Sequence, residues 1–171
     1  MTASAPTITL KGNPLPLAGA LPQVGQNAPN AELVNNDLAP VQLESFRGKV
    51  LVLSSVPSLD TPICDMETRR FNQEAEKLGE RVQIITISMD LPFAQKRWCG
   101  AAGIERVLTL SDYRAADFGT KYGVLIPAIR LLARAVFVVD AAGVIRYVQL
   151  VPEVGQEPEY GPILQAVKAL L

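Results

Sequence analysis

The sequence contains no histidine. That absence removes Ser/His/Asp and Cys/His catalysis together with the histidine-bearing zinc sites, so any chemistry has to be done by other groups. An excess of charge of one sign is missing too. The 16 basic residues stand against 17 acidic ones with no local run of Lys or Arg, so nothing is built to neutralise phosphates and nucleic acid is not an expected partner. No apolar run approaches the ~20 residues of a membrane span, and no membrane association is expected. Neither a Gly-x-Gly-x-x-Gly nor a Gly-Lys-Ser/Thr stretch occurs, so a nucleotide cofactor has no support, and no other cofactor or metal is expected. Met1 to Pro6 lacks the basic and apolar regions of a signal peptide. Cysteine is scarce, with Cys64 and Cys99 as the two copies. Without an export signal, thiols kept reduced in the cytoplasm are a better expectation than a structural disulfide.

What is present is a chain of 171 residues, 49% hydrophobic, with the length and balance of one domain over residues 1–171. Thr7 to Leu17, turning at Lys11-Gly12-Asn13-Pro14, reads as a β-hairpin. Glu32 to Val34 and Val41 to Leu43 read as a second short strand pair, decorating a core that starts later. Lys49 to Val56 and Val82 to Ser88 are apolar runs of strand length around an amphipathic helix over Pro62 to Leu78, a βαβ unit. A helix from Pro92 to about Ala102, a strand at Val107 to Leu110 and a helix from Ser111 to Tyr122 follow. Ala133 to Val139 and Val144 to Leu150 flank the turn Asp140-Ala-Ala-Gly143, and Glu159 to Leu171 closes as a helix. The order predicts an α/β protein with a central mixed sheet flanked by helices on both faces.

Three places carry chemical interest. In Val56-Pro57-Ser-Leu-Asp-Thr61-Pro62-Ile-Cys64, a strand ends and a helix begins, with Thr61 as N-cap and Pro62 as the first helical residue. Cys64 then occupies the third position, where free backbone N–H groups and the helix dipole favour an anion. A cysteine among apolar neighbours is more often an inert core residue, and Pro57 and Thr61 are by themselves an ordinary strand breaker and an ordinary cap. Arg134 lies in the apolar run Leu131 to Asp140. If buried, its permanent charge needs an anion, for which the Cys64 thiolate is one candidate; a carboxylate, or solvent at the strand end, is the alternative. Cys99 falls near the end of a short helix with Gly100 and Gly103 beside it, too far along the chain for a Cys-x-x-Cys pair. It is either a buried structural thiol or a second thiol on a helix able to open.

Pro57-Ser-x-Asp-Thr61-x-x-Cys64 resembles the active-site motif of the peroxiredoxins, in the form found in their thiol peroxidase branch. Leu91-Pro-Phe-Ala-Gln-x-Arg-x-Cys99 is similar to that branch's resolving-cysteine segment, Leu-Ala-Arg134-Ala-Val to its arginine segment, and Lys11-Gly-Asn-Pro14 to its opening hairpin. The resemblance runs from about residue 7 to the C-terminus. It implies a thioredoxin-like fold, a homodimer, and an atypical two-cysteine cycle in which Cys64 reduces a hydroperoxide and Cys99 resolves it within the same chain. Thr61 and Arg134 would then hold thiolate and peroxide oxygens, Pro57 would shield the site from water, and thioredoxin would reduce the disulfide. A non-catalytic redox sensor and a thioredoxin-like binding module with structural cysteines are the alternatives.

Overall fold

The computed structural model describes residues 5–171; residues 1–4, part of the stretch read for an export signal, lie outside it. Strands β1 (Thr7–Leu10) and β2 (Asn13–Pro16) form the opening hairpin. Its two-residue turn has Lys11 and Gly12 both at positive φ, the geometry whose twist suits a tight hairpin. Asn13 and Pro14 thus belong to the second strand rather than to the turn. Pro14 and Pro16 fall two residues apart, so both missing N–H groups lie along one edge of the strand.

The central sheet has seven strands, β3 (Glu32–Val34), β4 (Pro40–Gln42), β5 (Val50–Ser55), β6 (Val82–Ser88), β7 (Leu108–Ser111), β10 (Ala135–Val139) and β11 (Ile145–Leu150), in the order β11-β10-β5-β6-β7-β3-β4. The β5, β6 and β7 trio is parallel and the remaining pairs are antiparallel. The short pair β3 and β4 is therefore the edge of the main sheet and not an appendage: Val34 pairs with Ser111 of β7. A separate pair joins β8 (Leu125–Ile126), at a place read without a strand, to β9 (Leu131–Leu132), and the apolar run from Leu131 to Asp140 is not one buried strand but breaks at Ala133 and Arg134 before β10 begins.

Helices α1 (Pro62–Leu78), α2 (Pro92–Ala102), α3 (Asp117–Lys121) and α4 (Tyr160–Lys168) complete the fold. All six residues of β5 are buried, and alternation divides them between two cores. Val50 and Val52 join Phe71 and Ala75 of α1 and Ile163 and Val167 of α4. Leu51 and Leu53 join Phe118, Tyr122 and Phe137, with Ile8 and Leu17 of the hairpin segment. Each Val, Leu, Ile and Phe among them contributes about 1.5–3 kcal/mol by leaving water. The helix predicted over Ser111 to Tyr122 is only the five residues of α3. Ser111 is taken by β7, Ala116 adopts a left-handed backbone (φ 50°) that no helix can run through, and Asp112 caps α3 from outside by accepting the Phe118 and Gly119 N–H groups at 3.0 and 2.8 Å.

Parallel pairing puts the C-terminal ends of β5 and β6 at one end of the sheet. Antiparallel β10 starts at that same end, Ala135 lying opposite Ser55, so Arg134 arrives beside the start of α1.

Candidate active site

Thr61 is extended (φ −103°, ψ 147°) just ahead of Pro62, which tolerates the first helical position, and Cys64 becomes the third residue of α1. It is fully buried, with Val56, Leu59 and half-buried Trp98 packed around it. Two polar groups reach its sulfur. Thr61 Oγ1 lies 2.7 Å from Cys64 Sγ, and Arg134 Nη2 donates to it at 3.3 Å. Thr61 holds the N-cap position, but its hydroxyl makes no bond to the helix amides; it turns instead to the sulfur and to the Ser58 carbonyl, 2.9 Å away. One hydroxyl hydrogen thus faces two acceptors. It points to the sulfur when that is a thiolate and to Ser58 when a thiol proton occupies the Thr61 oxygen.

Arg134 is 1% exposed, which disposes of the solvent alternative, and it meets both kinds of anion. Nη1 donates to Glu67 Oε2 at 2.6 Å, while Nε and Nη2 donate to the Val154 carbonyl at 3.3 and 3.0 Å. Burial opposes the guanidinium charge, but Glu67 and the sulfur outweigh it and hold the group above its ordinary value. Glu67, wholly buried, is pushed up by burial, with Arg134 and the Ser54 hydroxyl (2.7 Å to Oε1) pulling the other way.

Glu67 escaped the sequence reading, although a signal exists. Cys64, Glu67, Thr68, Phe71 and Ala75 recur at helical spacing and are all buried, so a carboxylate stands on an otherwise core-facing stripe. Asp90 escaped it as well. From the end of β6 it accepts the Ser58 and Ser88 hydroxyls, each at 2.7 Å, and the Leu59 N–H at 2.9 Å, fixing the turn that delivers Cys64. Pro57 is buried where β5 gives way to that turn. A shallow groove lined by Leu59, Thr61, Pro62 and Trp98 opens at the start of α1.

Cys99 stands apart on α2, half-buried, with Sγ 3.4 Å from Thr109 Oγ1. Burial pushes its thiol up and Thr109 opposes this. Both cysteines are free thiols. The Cys99 carbonyl accepts the Gly103 and Ile104 N–H groups, closing the helix over a left-handed Gly103 (φ 66°). A latch ties this end of α2 to α1. Trp98 Nε1 donates to Asp65 at 2.9 Å, Asp65 pairs with Arg69 at 2.8 Å, and Arg69 lies over the Trp98 ring and reaches the Ala102 carbonyl at 3.4 Å.

A buried thiol at a helix start, addressed by a hydroxyl and a guanidinium at the C-terminal end of the parallel strands, is the geometry of a candidate thiol-redox site on a thioredoxin-like fold. The Redoxin family model matches residues 23–164, and the chain belongs to that family. It is 57% identical over 157 residues to a thiol peroxidase of Oceanobacillus iheyensis, covering 92% of this chain and 95% of that one. It is 51% identical over 165 residues to a thiol peroxidase of Halalkalibacterium halodurans, covering 96% and 99%. Among solved structures, a peroxiredoxin-like protein from Aquifex aeolicus superposes with a TM-score of 0.90 at 46% identity, over 96% of this chain and 97% of that one. Among the described residues, no helix is long and apolar enough to cross a membrane.

Proposed function

We propose that the chain is a thiol-dependent peroxidase in which Cys64 is the peroxidatic thiol, Cys99 the resolving thiol, and Thr61, Arg134 and Pro57 complete the site. The observation that carries this is the Cys64 sulfur held between Thr61 Oγ1 and Arg134 Nη2, in a chain 57% identical to a thiol peroxidase. The Cys64 thiolate attacks the terminal oxygen of ROOH. An S–O bond forms, the O–O bond breaks, and the departing alkoxide takes a proton to leave as alcohol or water. Cys64 is now a sulfenic acid. Arg134 and Thr61 donate to the oxygens as negative charge moves onto them, and Pro57 keeps water from the sulfur. Cys99 then attacks the sulfenic sulfur, water leaves, and the Cys64–Cys99 disulfide forms; this requires the end of α2 to unwind. A dithiol reductant, thioredoxin in this proposal, returns both thiols. The same reading takes the chain as a single domain, a homodimer and a cytoplasmic protein.

Steady-state turnover with thioredoxin as reductant tests the assignment. Cys64→Ser is expected to abolish turnover, and Cys99→Ser to consume one equivalent of peroxide and stop. Turnover surviving in the first variant removes Cys64 from the chemistry, a wild-type rate in the second removes Cys99 from resolution, and no sustained turnover in the parent protein leaves a redox sensor.

A further inference from the structure

Glu153 is a half-buried carboxylate beyond the sheet, and it accepts four hydrogen bonds. Oε1 takes the Lys11 N–H at 2.9 Å and the Gly155 N–H at 3.4 Å, while Oε2 takes the Gly12 N–H at 3.3 Å and the Thr9 hydroxyl. Lys11 and Gly12 are the two positive-φ residues of the hairpin turn, so their N–H groups converge in a small anion nest that this carboxylate fills. The main chain repeats the attachment: Thr9 N–H donates to the Pro152 carbonyl at 2.8 Å and Val154 N–H to the Thr9 carbonyl at 2.9 Å.

The carbonyl of this same Val154 is the one that receives Nε and Nη2 of Arg134. A guanidinium is planar, so fixing two edges fixes its orientation. Glu67 holds Nη1, Val154 holds the opposite side, and Nη2 is left directed at Cys64 Sγ. Residues 151–159 form no regular strand or helix, so the Val154 carbonyl has no ladder to hold it in place. The opening hairpin supplies the anchorage.

We infer that Glu153 is a positioning residue for the Cys64 site: by clamping the hairpin turn to residues 152–155 it sets the Val154 carbonyl, and through it the plane of the Arg134 guanidinium that faces the sulfur. The inference deepens the peroxidase proposal above and rests on it for its role in catalysis. The clamp itself is separable, because it acts on the thiolate before any peroxide arrives.

The test uses the full chain in a Cys99→Ser background, so that Cys64 is the single thiol, and compares Glu153, Glu153→Ala and Glu153→Gln. Iodoacetamide alkylation is followed from pH 5 to 9, and oxidation by one equivalent of hydrogen peroxide in a single turnover. Glu153→Ala is expected to slow both alkylation at pH 7 and oxidation by about tenfold, within what a misplaced charged group costs, and to move the alkylation profile to higher pH. Glu153→Gln keeps one carbonyl oxygen for the Lys11 and Gly155 amides and is expected to fall between the two. An alkylation profile identical in all three proteins overturns the clamp, as does slower oxidation with no change in alkylation. If wild-type protein is inert to peroxide the peroxidase proposal fails, and the alkylation profiles still decide the clamp.

Discussion

Arg134 divides its N–H donors among the Glu67 carboxylate, the Val154 carbonyl and the Cys64 sulfur, and that division governs how much positive charge the sulfur feels. With Glu67 2.6 Å away, much of the guanidinium charge is already neutralised, so the carboxylate orients the arginine and at the same time competes with the thiolate. Glu67→Gln keeps an oxygen for orientation and removes the competing charge. The thiolate then becomes the remaining counter-ion, and Cys64 alkylation at pH 6 is expected to accelerate severalfold. Removing one member of a buried ion pair also costs about 3 kcal/mol, which chemical denaturation would register. Unchanged alkylation in a destabilised variant would show that Glu67 serves the fold alone. At this scale Cys64, Thr61 and Arg134 were legible, because a helix start and an arginine in an apolar run are local patterns. Glu67 was less legible, because a Glu at helical spacing reads as solvent-facing until the partner that neutralises it, Arg134, distant in sequence, is in view.

The proposed resolution by Cys99 needs an α2 stable enough to form and weak enough to open, and the attachments of the helix divide accordingly. Buried Gln95 Nε2 donates to Ser88 and the Leu110 carbonyl and fixes the first half of the helix, while the Asp65–Arg69–Trp98 latch holds the end that carries Cys99. Asp65→Asn removes the Arg69 pair and weakens the Trp98 bond, a change of about 1 kcal/mol at this half-exposed site. Disulfide formation after a peroxide pulse is therefore expected to speed up about fivefold, with less over-oxidised Cys64 at high peroxide; an unchanged rate in stopped-flow tryptophan fluorescence would show that the latch is not what opens. The approximate bounds of α1 and α2 were legible, because proline at the first position and glycine just past the end mark them in sequence. α3 was not. Its extent depends on Ala116 leaving the helical region and on Asp112 capping from a strand end, neither of which has a local sign. The place of β3 and β4 at the sheet edge rests on the pairing of β3 to β7, a contact between residues on either side of the whole βαβ unit that periodicity cannot register.

For the whole molecule, the buried charges set how stability follows pH. Burial pushes the Asp112 carboxyl from its usual 3.8 up to about 6, against the Gly119 and Phe118 N–H bonds that lower it. The folded state therefore holds a proton on Asp112 that the unfolded chain has released between pH 4 and 6, so this group's contribution is most favourable below pH 4 and is lost as pH rises through 6. The loss amounts to about 3 kcal/mol. The stability advantage of wild type over Asp112→Asn is expected to shrink by that order between pH 4 and 7 in urea titrations; an advantage that grows with pH would reverse the assignment. The sheet also joins elements far apart in the chain into one site, with the thiol from α1, the guanidinium from the residue just before β10, the orienting carbonyl from the segment after β11 and the hairpin behind it. In the proposed cycle this assembly makes Cys64 the thiol that peroxide oxidises and Cys99 the thiol that answers it. The most direct test treats reduced protein with one equivalent of hydrogen peroxide and maps the cysteine peptides by mass spectrometry without reductant, beside a Cys64→Ser control. A Cys64–Cys99 linkage within one chain, absent from the control, is the predicted result, and two unmodified thiols would contradict it.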